Sequence, residues 1–274
     1  MVDMEDYQEL KVLLNKVFKE RAIDFSQYRE KLLCRRVATR LRANKKSSYE
    51  EYMRLLENSR EEMDALLDSL TIHTTQFYRD SKVFDAVYEN ILPELFNKEA
   101  LKNKKSARIW SCGCSGGEES TTVLILIAEY LKENFDIQQI AIYGTDIDKW
   151  SIEKAKDGVY DEYEFKDMPA GLKEKYFLDM GNKRFWRKKE LNKYLFFKQH
   201  DIVKDEPLRN IDLILCRNLF IYFKRELQQL CLEKFYKSLN KGGFLVLGLT
   251  ESLWKDVTEG YVEFDSYNKI YRKI

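Results

Sequence analysis

The segment ARIWSCGCSGGE, residues 107–118, decides the fold class of this chain. Its apolar first half is typical of a buried strand and its glycine-rich second half of a turn, and a helical pattern follows over residues 118–134. A glycine-bearing turn between a strand and a helix lets a ligand approach the backbone closely and meet the helix N-terminus. The segment therefore predicts a ligand-binding strand–turn–helix unit.

The alternation of strands and helices continues towards the C-terminus. Strands that alternate with helices indicate a parallel sheet covered by helices on both faces. Uninterrupted apolar runs suit strands that are buried on both sides. We therefore predict an α/β fold, with further strands in IAIYGT, YLFFKQ, IDLILC and GFLVLGL and helices over residues 149–156 and 225–239.

Two stretches depart from this alternation. The tail YVEFDSYNKIYRKI, residues 261–274, has two β-prone pieces around Tyr267-Asn268, which predicts an antiparallel hairpin at the edge of the sheet. Residues 160–195 fit no strand–helix–strand unit. Their latter part, KRFWRKKELNKYLFF (183–197), has apolar residues around a polar turn, and we predict a small hairpin insertion there.

Residues 1 to about 70 predict helices. Leu33, Val37 and Leu41 recur every four residues and give one apolar stripe. Ser47-Ser48, followed by Glu50 and Glu51, is typical of a helix N-cap with acids in the first turn.

The composition is that of an ordinary soluble protein, with 44% hydrophobic and 34% charged residues among 274. The start, MVDMEDYQELK, is not a signal peptide pattern, and no apolar stretch approaches the roughly 18 residues of a membrane span. Five cysteines, an odd number in a long chain, favour reduced thiols, so we expect a cytoplasmic protein.

The net charge of +1 provides no global field for nucleic acid, but the segment from Arg29 to Lys46 has eight basic residues against one acid, a local net of +7.

Polar residues follow four predicted strands in turn, at the edge where open α/β sheets bind ligands. The glycine turn follows the first strand, Asp146 ends the second, Asp201 follows the third, and Arg217-Asn218 the fourth. A carboxylate at the tip of the second strand can accept hydrogen bonds from both hydroxyls of a ribose. Asp is also a favoured N-cap. We predict that Asp146 binds a ribose and that Asp148 caps the next helix.

These motifs resemble those of the CheR family, the chemotaxis receptor glutamate O-methyltransferases. The resemblance covers nearly the whole chain in the family's order. It rests on TQFYR (75–79, family T-x-F-F-R), WSCGCSGGEES (110–120, W-S-x-x-x-S-x-G-E-E-P), GTDIDKWSIEKAKDGVY (144–160, T-D-I-D then G-x-Y), CRNLFIYF (216–223, C-R-N-x-x-I-Y-F) and GGFLVLGLTES (242–252, G-G-x-L-x-x-G-x-x-E). The N-terminal stretches RRVATRL and EEYMRLLE are also similar to the family's helical domain.

The resemblance implies a Rossmann-like class I S-adenosylmethionine-dependent methyltransferase domain with a small β insertion, preceded by an all-α N-terminal domain. The implied domains are a helical domain over 1–70, a linker and helix over the cofactor site at 71–105, and the methyltransferase domain over 106–274, with the insertion at about 160–195. The implied product of the cofactor is S-adenosylhomocysteine.

Roles for individual residues follow from the resemblance alone. Thr75 and Arg79 would lie on the cofactor, Glu118 would hold its methionine end, and Asp146 its ribose. The implied cofactor-binding residues are His73, Thr75, Arg79, Glu118, Asp146, Asp201, Ile202, Asn218 and Leu219, with Asp201 and Ile202 at the adenine. Arg79, Arg217 and Tyr222 would be catalytic, the last two near the methyl group, and Arg35, Arg36, Arg40 and Arg42 would bind the substrate.

The implied substrate is a glutamate on the helical cytoplasmic domain of a chemoreceptor, which becomes a methyl ester. A Glu carboxylate, with a pKa near ~4.3, is already ionised at neutral pH, so no strong base is needed. The basic segment would guide a glutamate-rich receptor by electrostatic attraction, and this attraction would mainly raise the encounter rate. Solvent exposure alone is the other explanation for that segment. We expect a monomer that neither binds nucleic acid nor inserts into a membrane.

Two departures from the family pattern concern the site. His73 stands where the family has Asn, and Ser120-Thr121-Thr122 where it has Pro-Tyr-Ser. The alternatives are a methyltransferase of the same fold that acts on a small molecule or another protein, and a degenerate module that binds the cofactor or receptors and signals by docking. A zinc site at Cys112 and Cys114 is not expected, because no second Cys or His pair stands at ligand spacing.

Overall fold

The N-terminal part of the chain folds as four helices. The computed structural model describes residues 4–21, 23–71, 75–97, 99, 106–137, 139–253 and 259–274. The helices are α1 (Met4–Arg21), α2 (Glu30–Ala43), α3 (Tyr49–Asn58) and α4 (Arg60–Leu70). One compact unit, the helical unit, comprises the described residues within Met1–His73 together with Tyr222–Gln228. Its core is apolar, with side chains such as Leu13, Val37, Tyr52 and Leu66 fully buried.

Local signals in the sequence account for this helical unit. The predicted stripe on α2 faces its core, since Leu33 and Val37 are buried. The predicted N-cap is also confirmed, because the side chain of Ser48 accepts a hydrogen bond from the backbone N–H of Glu51 at 3.2 Å. Within the described ranges, no helix combines the length and the hydrophobicity that a membrane span requires.

The rest of the described chain forms a second compact unit, the sheet unit, within Thr74–Ile221 and Gln229–Ile274. Its main strands are β1 (Ala107–Cys112), β2 (Ile140–Asp146), β6 (Leu195–Gln199), β7 (Ile211–Cys216), β8 (Leu239–Leu247), β9 (Tyr261–Asp265) and β10 (Ile270–Lys273). The helices are α5 (Ser81–Ala86), continued by a π-helical turn (Val87–Ile91), α6 (Leu92–Leu95), α7 (Glu118–Leu131), α8 (Lys149–Asp157), α9 (Leu172–Tyr176) and α10 (Arg225–Ser238), whose first residues group with the helical unit.

The seven strands form one sheet in the order β6-β2-β1-β7-β8-β10-β9. The first five are parallel, and β10 and β9 add the antiparallel edge hairpin that the tail predicted. The chain runs outward from β1 to β2 and β6 and then returns to β7 on the other side of β1, so the strand order reverses between β1 and β7. The carboxyl ends of these strands lie at one edge, which is where such a reversal opens a crevice for ligands.

The insertion is a separate three-stranded antiparallel sheet in the order β3-β5-β4. Its strands are β3 (Val159–Asp161), β4 (Phe177–Asp179) and β5 (Arg184–Arg187). The predicted small β insertion is therefore present, but the predicted hairpin over 183–197 is wrong. Its polar turn is a 3-10 helix, Lys189–Tyr194, and its second arm is β6, which pairs with β2. The first arm pairs instead with β3 and β4, whose apolar side chains lie earlier in the chain.

Candidate active site

The glycine turn after β1 follows a tight path that its residues enforce. The backbone N–H groups of Gly113 and Cys114 both donate to the carbonyl of Thr145, at 2.8 and 2.9 Å, which ties the turn to the end of β2. Gly117, the N-cap of α7, has a φ of +86°, and an added Cβ would lie 2.9 Å from that of Ala155. A side chain is therefore excluded where the backbone reaches the helix N-terminus.

Asp146, at the end of β2, has a carboxylate that backbone donors hold in place. Its Oδ2 accepts from the N–H of Ser115 at 2.9 Å and its Oδ1 from the N–H of Asp148 at 3.0 Å. Asp148 in turn caps α8 by accepting from the N–H of Ser151 at 2.7 Å, as predicted. The half-buried carboxylate of Asp146 thus lies against the glycine turn.

Glu118, the first residue of α7, is fully buried within a group of three charged side chains. Its Oε1 lies 3.2 Å from Nζ of Lys154, and the same Nζ lies 2.6 Å from Oε1 of Glu164. Its Oε2 is shielded from solvent and accepts no hydrogen bond from a described residue. Burial raises the pKa of Glu118 to about 8; Lys154 opposes that shift and Glu164 adds to it. Sequence reasoning missed Lys154 and Glu164, since neither stands at a strand end.

Arg217, which follows β7, is buried and has three partners. Its guanidinium donates to Asp80 at 2.7 Å, to Glu119 at 3.2 Å and to the backbone carbonyl of Arg79 at 2.7 Å. It also lies over the ring of Phe84, with 4.9 Å between Cζ and the ring centroid. Arg217 therefore holds residues 79 and 80 against the ends of β1 and β7.

The segment Phe77–Asp80 is fixed at several further points. The N–H of Tyr78 donates to Oγ1 of Thr122 at 3.2 Å, and the N–H of Phe77 to the carbonyl of Glu164 at 2.9 Å. Both Tyr78 and Asp80 have left-handed backbones, with φ of 56° and 59°. Thr75 and Arg79 are half-buried, whereas His73 lies outside the described residues.

Of the three residues that differ from the family pattern at Ser120-Thr121-Thr122, the two threonines have hydrogen-bond partners. Thr122 accepts the backbone N–H of Tyr78 and donates to the carbonyl of Glu118 at 2.8 Å. Thr121 accepts from Arg187, at 3.3 Å, and Arg187 also donates to the hydroxyl of Tyr160 at 3.1 Å. Thr122 therefore joins α7 to Tyr78, and Thr121 joins α7 to the insertion. Both buried hydroxyls have hydrogen-bond partners, as buried polar groups require.

Asn218 and Leu219 lie opposite the glycine turn. An added Cβ at Gly113 would lie 3.2 Å from Cδ2 of Leu219, so that side chain packs on the turn. Asn218 has a φ of 58°, and its N–H donates to Glu251 at 3.2 Å. The buried carboxylate of Glu251 also accepts from the N–H groups of Gly248 and Ile221, at 2.7 and 3.1 Å. Glu251 was not predicted as a site residue, although its motif was noted.

Asp201 and Ile202 follow β6, next to Asp146. The N–H of His200 donates to the carbonyl of Asp146 at 2.8 Å, which joins the two strand ends. The carboxylate of Asp201 accepts from the N–H of Val203 at 2.9 Å, while Ile202 is buried. Glu118, Asp146, Asp201 and Asn218 thus all lie at the carboxyl edge of the same sheet.

The remaining predicted residues belong to the helical unit. Arg35 and Arg42 are exposed on α2, and Arg36 donates to the carbonyl of Ser69 at 2.8 Å. Arg40 donates to the carboxylate of Glu62 through Nε and Nη2, and Tyr52 donates to the same carboxylate. The backbone carbonyl of Tyr222 accepts from the N–H of Arg29 at 2.9 Å.

This edge of the sheet suits one kind of ligand. A half-buried carboxylate held towards a glycine turn is the acceptor that vicinal hydroxyls require. Oε2 of Glu118 is fully buried and has no donor among the described residues. A Cβ added at Gly116 would lie 2.6 Å from Glu118 Oε1, so a glycine there leaves the carboxylate accessible. Such a carboxylate suits a primary ammonium group. A ligand with a ribose and an amino-acid end fits both features.

Comparison with known proteins gives the same description. Residues 8–71 match the all-alpha domain of CheR methyltransferases, and residues 73–267 match their S-adenosylmethionine-binding domain. A chemotaxis protein methyltransferase of Borreliella burgdorferi is 31% identical over 95% of this chain and 94% of its own length. Chemotaxis protein methyltransferase 2 of Vibrio cholerae is 28% identical over 86% of this chain and 82% of its own, and the enzyme of Listeria monocytogenes 24% identical over 92% of each. The chain belongs to the CheR methyltransferase family and is an S-adenosylmethionine-dependent methyltransferase.

Proposed function

We propose that this enzyme methylates glutamate side chains on the cytoplasmic helices of a chemoreceptor and forms glutamate methyl esters. The observation that carries the proposal is the match to both CheR domains, together with a chemotaxis protein methyltransferase that aligns with nearly the whole chain. A protein that shared only the cofactor-binding domain would leave the substrate open. Here the helical domain matches too, and its basic segment offers a surface for an acidic helix.

The cofactor would lie along the carboxyl edge of the sheet. We assign its amino-acid end to Glu118, its ribose hydroxyls to Asp146, and its adenine to Asp201 and Ile202. Asn218 and Leu219 complete the pocket opposite the glycine turn. Thr75 and Arg79, with His73, contact the cofactor from the segment before α5. The contacts that fix Asp146, Glu118 and residues 77–80 support this assignment, because they hold these groups before the ligand binds.

The transfer requires positioning rather than proton removal. When bound, the cofactor supplies a methyl group on a sulfonium. The glutamate substrate is already an anion, so the protein orients its carboxylate and excludes water around it. Arg79 and Tyr222 are proposed to orient that carboxylate. The resemblance implied that Arg217 is catalytic as well, but Asp80, Glu119 and the Arg79 carbonyl bind its two terminal nitrogens. We therefore propose that Arg217 is a positioning residue that holds Arg79.

On the helical unit, the receptor would meet the exposed residues of α2. Arg35 and Arg42 are exposed and Arg36 is half-buried, so these three are proposed to bind the acidic receptor helix. Arg40 was included from the sequence, but its charge is neutralised by Glu62. Its position is better explained by the structure of the helical unit than by substrate binding.

Charge reversal on α2 tests this surface. Changing Arg35 and Arg42 together to Glu should lower kcat/KM for a receptor fragment about tenfold or more at low salt, because steering of charged partners changes association rates by 10-fold to ~1,000-fold. The loss should shrink as salt rises and screens the charges. Arg54→Glu together with Arg60→Glu, on α3 and at the start of α4, reverses two exposed charges in the same unit; this matched control should keep its rate. Equal losses in both variants at all salt concentrations would argue against the surface.

The function itself is tested by transfer of radiolabelled methyl from S-adenosylmethionine to a purified chemoreceptor cytoplasmic fragment. The expected product is label that alkali releases, since a methyl ester is base-labile and a methylated amine is not. Replacing the acceptor glutamates of the fragment with alanine should abolish the label. Label on another protein or on a small molecule, with none on receptor fragments, would overturn the receptor proposal and leave the methyltransferase assignment intact.

A further inference from the structure

The buried group formed by Glu118, Lys154 and Glu164 has two carboxylates and only one ammonium group, one carboxylate more than an ion pair contains. One ammonium lies between two carboxylates, 3.2 Å from Glu118 and 2.6 Å from Glu164. Both carboxylates are almost completely shielded from solvent, while the Lys154 side chain is 40% exposed. If both acids were ionised, the group would hold a net charge of −1 away from water, which is costly unless a further cation or a proton compensates it.

Among the described residues, Lys154 is the one cation paired with Glu118, and the buried Arg187 donates instead to the hydroxyls of Thr121 and Tyr160. Glu164 also accepts the backbone N–H of Asp161 at 2.7 Å, and Lys154 lies 5.6 Å from the centre of the Tyr160 ring. The titratable groups that act on Glu118 or are influenced by it are Lys154 from α8, Tyr160 from β3, Tyr163 and Glu164 from the 3-10 helix after β3, and Cys114 from the glycine turn. Of these groups, Lys154 alone is cationic. Although burial lowers the pKa of Lys154, the two carboxylates raise it well above its usual range, so the lysine stays charged.

We propose that Lys154 and Glu164 are positioning residues for the amino-acid end of the cofactor, and that Glu118 carries a proton that leaves to solvent when the cofactor's ammonium group binds. The proposal rests on the assignment of Glu118 in the proposed function. Before binding, one cation faces one ionised and one protonated acid. After binding, two cations face two ionised acids. The charges of these side chains and of the ligand's ammonium group are balanced in both states, and the proton passes to the buffer. The ligand's own α-carboxylate lies outside this count.

The direction of the pH dependence follows from this exchange. The free group holds the proton at neutral pH, since the pKa of Glu118 is raised by burial, and the bound group does not. Affinity for ligands with the ammonium group should therefore rise with pH, by up to about tenfold per pH unit, until the free group loses its proton by itself. A ligand without that ammonium group should show no such rise.

Calorimetric titration in two buffers of different ionisation enthalpy counts the protons released on binding. The ligands are S-adenosylhomocysteine and 5′-methylthioadenosine, which lacks the amino-acid end, at about pH 6.5, where the ligand amine is fully protonated. Wild-type protein should release about one proton with the first ligand and none with the second. Lys154→Met should still release about one proton, because the ligand then provides the only cation. Glu164→Gln should release almost none, because Lys154 and Glu118 then form an ionised pair before binding.

These variants separate the possible failures. Binding of 5′-methylthioadenosine by each variant shows that the fold and the nucleoside pocket are intact. If S-adenosylhomocysteine binds more tightly than 5′-methylthioadenosine but releases no proton from the wild type, the proposed proton on Glu118 is wrong and the site assignment stands. If it binds no more tightly, Glu118 does not hold the amino-acid end, and both proposals fail at that residue. A merely structural pair would give the same proton count in Glu164→Gln as in the wild type, which would also overturn the inference.

Discussion

Replacing Asp146 with alanine should weaken binding of S-adenosylhomocysteine by about 100-fold or more. Hydrogen bonds to a charged acceptor contribute about 1.5–3 kcal/mol each, and two ribose hydroxyls would lose that acceptor together. Each ~1.4 kcal/mol is tenfold in affinity. The substitution also removes the acceptor of the Ser115 and Asp148 N–H groups, which hold the glycine turn against β2. Calorimetry or equilibrium dialysis measures the change directly, and label transfer should fall with it.

Asp148→Ala is the matched control, two residues along the same loop. It removes the cap of α8, where Asp148 accepts the N–H of Ser151. The free energy of unfolding should fall by about 1 kcal/mol, as for other lost N-caps. Affinity for the ligand should stay within about threefold, on the order of 0.7 kcal/mol. If Asp146→Ala also stayed within that range, the ribose assignment would be wrong, however well the turn fits the family pattern.

The strands of the sheet could be predicted because burial on both faces strongly favours apolar residues. IDLILC was predicted as a strand and is β7, with every residue buried, and ARIWSC is β1 with the same bounds. Parallel strands of this kind give largely apolar runs, here with Asp212, Arg108 and Ser111 as exceptions, and such runs are a local signal. The residues at their ends could be located for the same reason. Asp146 and Asn218 lie at the predicted edge, although their contacts with a ligand remain proposals.

Pairing between distant segments could not be predicted. β5 was given the wrong partner because RFWR can pair with any apolar neighbour, and the choice of β3 and β4 depends on how the insertion packs. The charged groups show the same limit. Arg217 finds its partners 98 and 137 residues away, at Glu119 and Asp80. The sequence around the end of β7 shows that an arginine stands there, but it does not show which acidic residues from distant segments will pair with it.

Replacing Arg217 with methionine should lower the free energy of unfolding by about 3–5 kcal/mol, the usual cost of removing one partner from a buried ion pair. The Arg217 side chain is 2% exposed, and the acids that it would leave behind, Glu119 and Asp80, are 14% and 31% exposed. Urea denaturation measures the loss. Affinity for S-adenosylhomocysteine should fall as well, because the backbone of Arg79 loses the donor that holds it. Arg217→Lys keeps the charge but not the planar guanidinium that reaches three acceptors. Its free energy of unfolding should therefore lie between those of the wild type and Arg217→Met.

Arg272→Met is the matched control, since it makes the same change in a pair at the surface. Arg272 and Glu94, 37% and 38% exposed, lie 2.7 Å apart. Exposed pairs contribute about 0–1 kcal/mol, so this variant should unfold nearly as the wild type does. The two variants together decide what Arg217 does. A protein with Arg217→Met that is stable and binds S-adenosylhomocysteine normally, but no longer transfers the methyl group, would mean that Arg217 has the catalytic role that the family resemblance implied. Loss of stability and affinity together, with Arg272→Met unaffected, would support the positioning role, because only a group that holds the segment before α5 should change both.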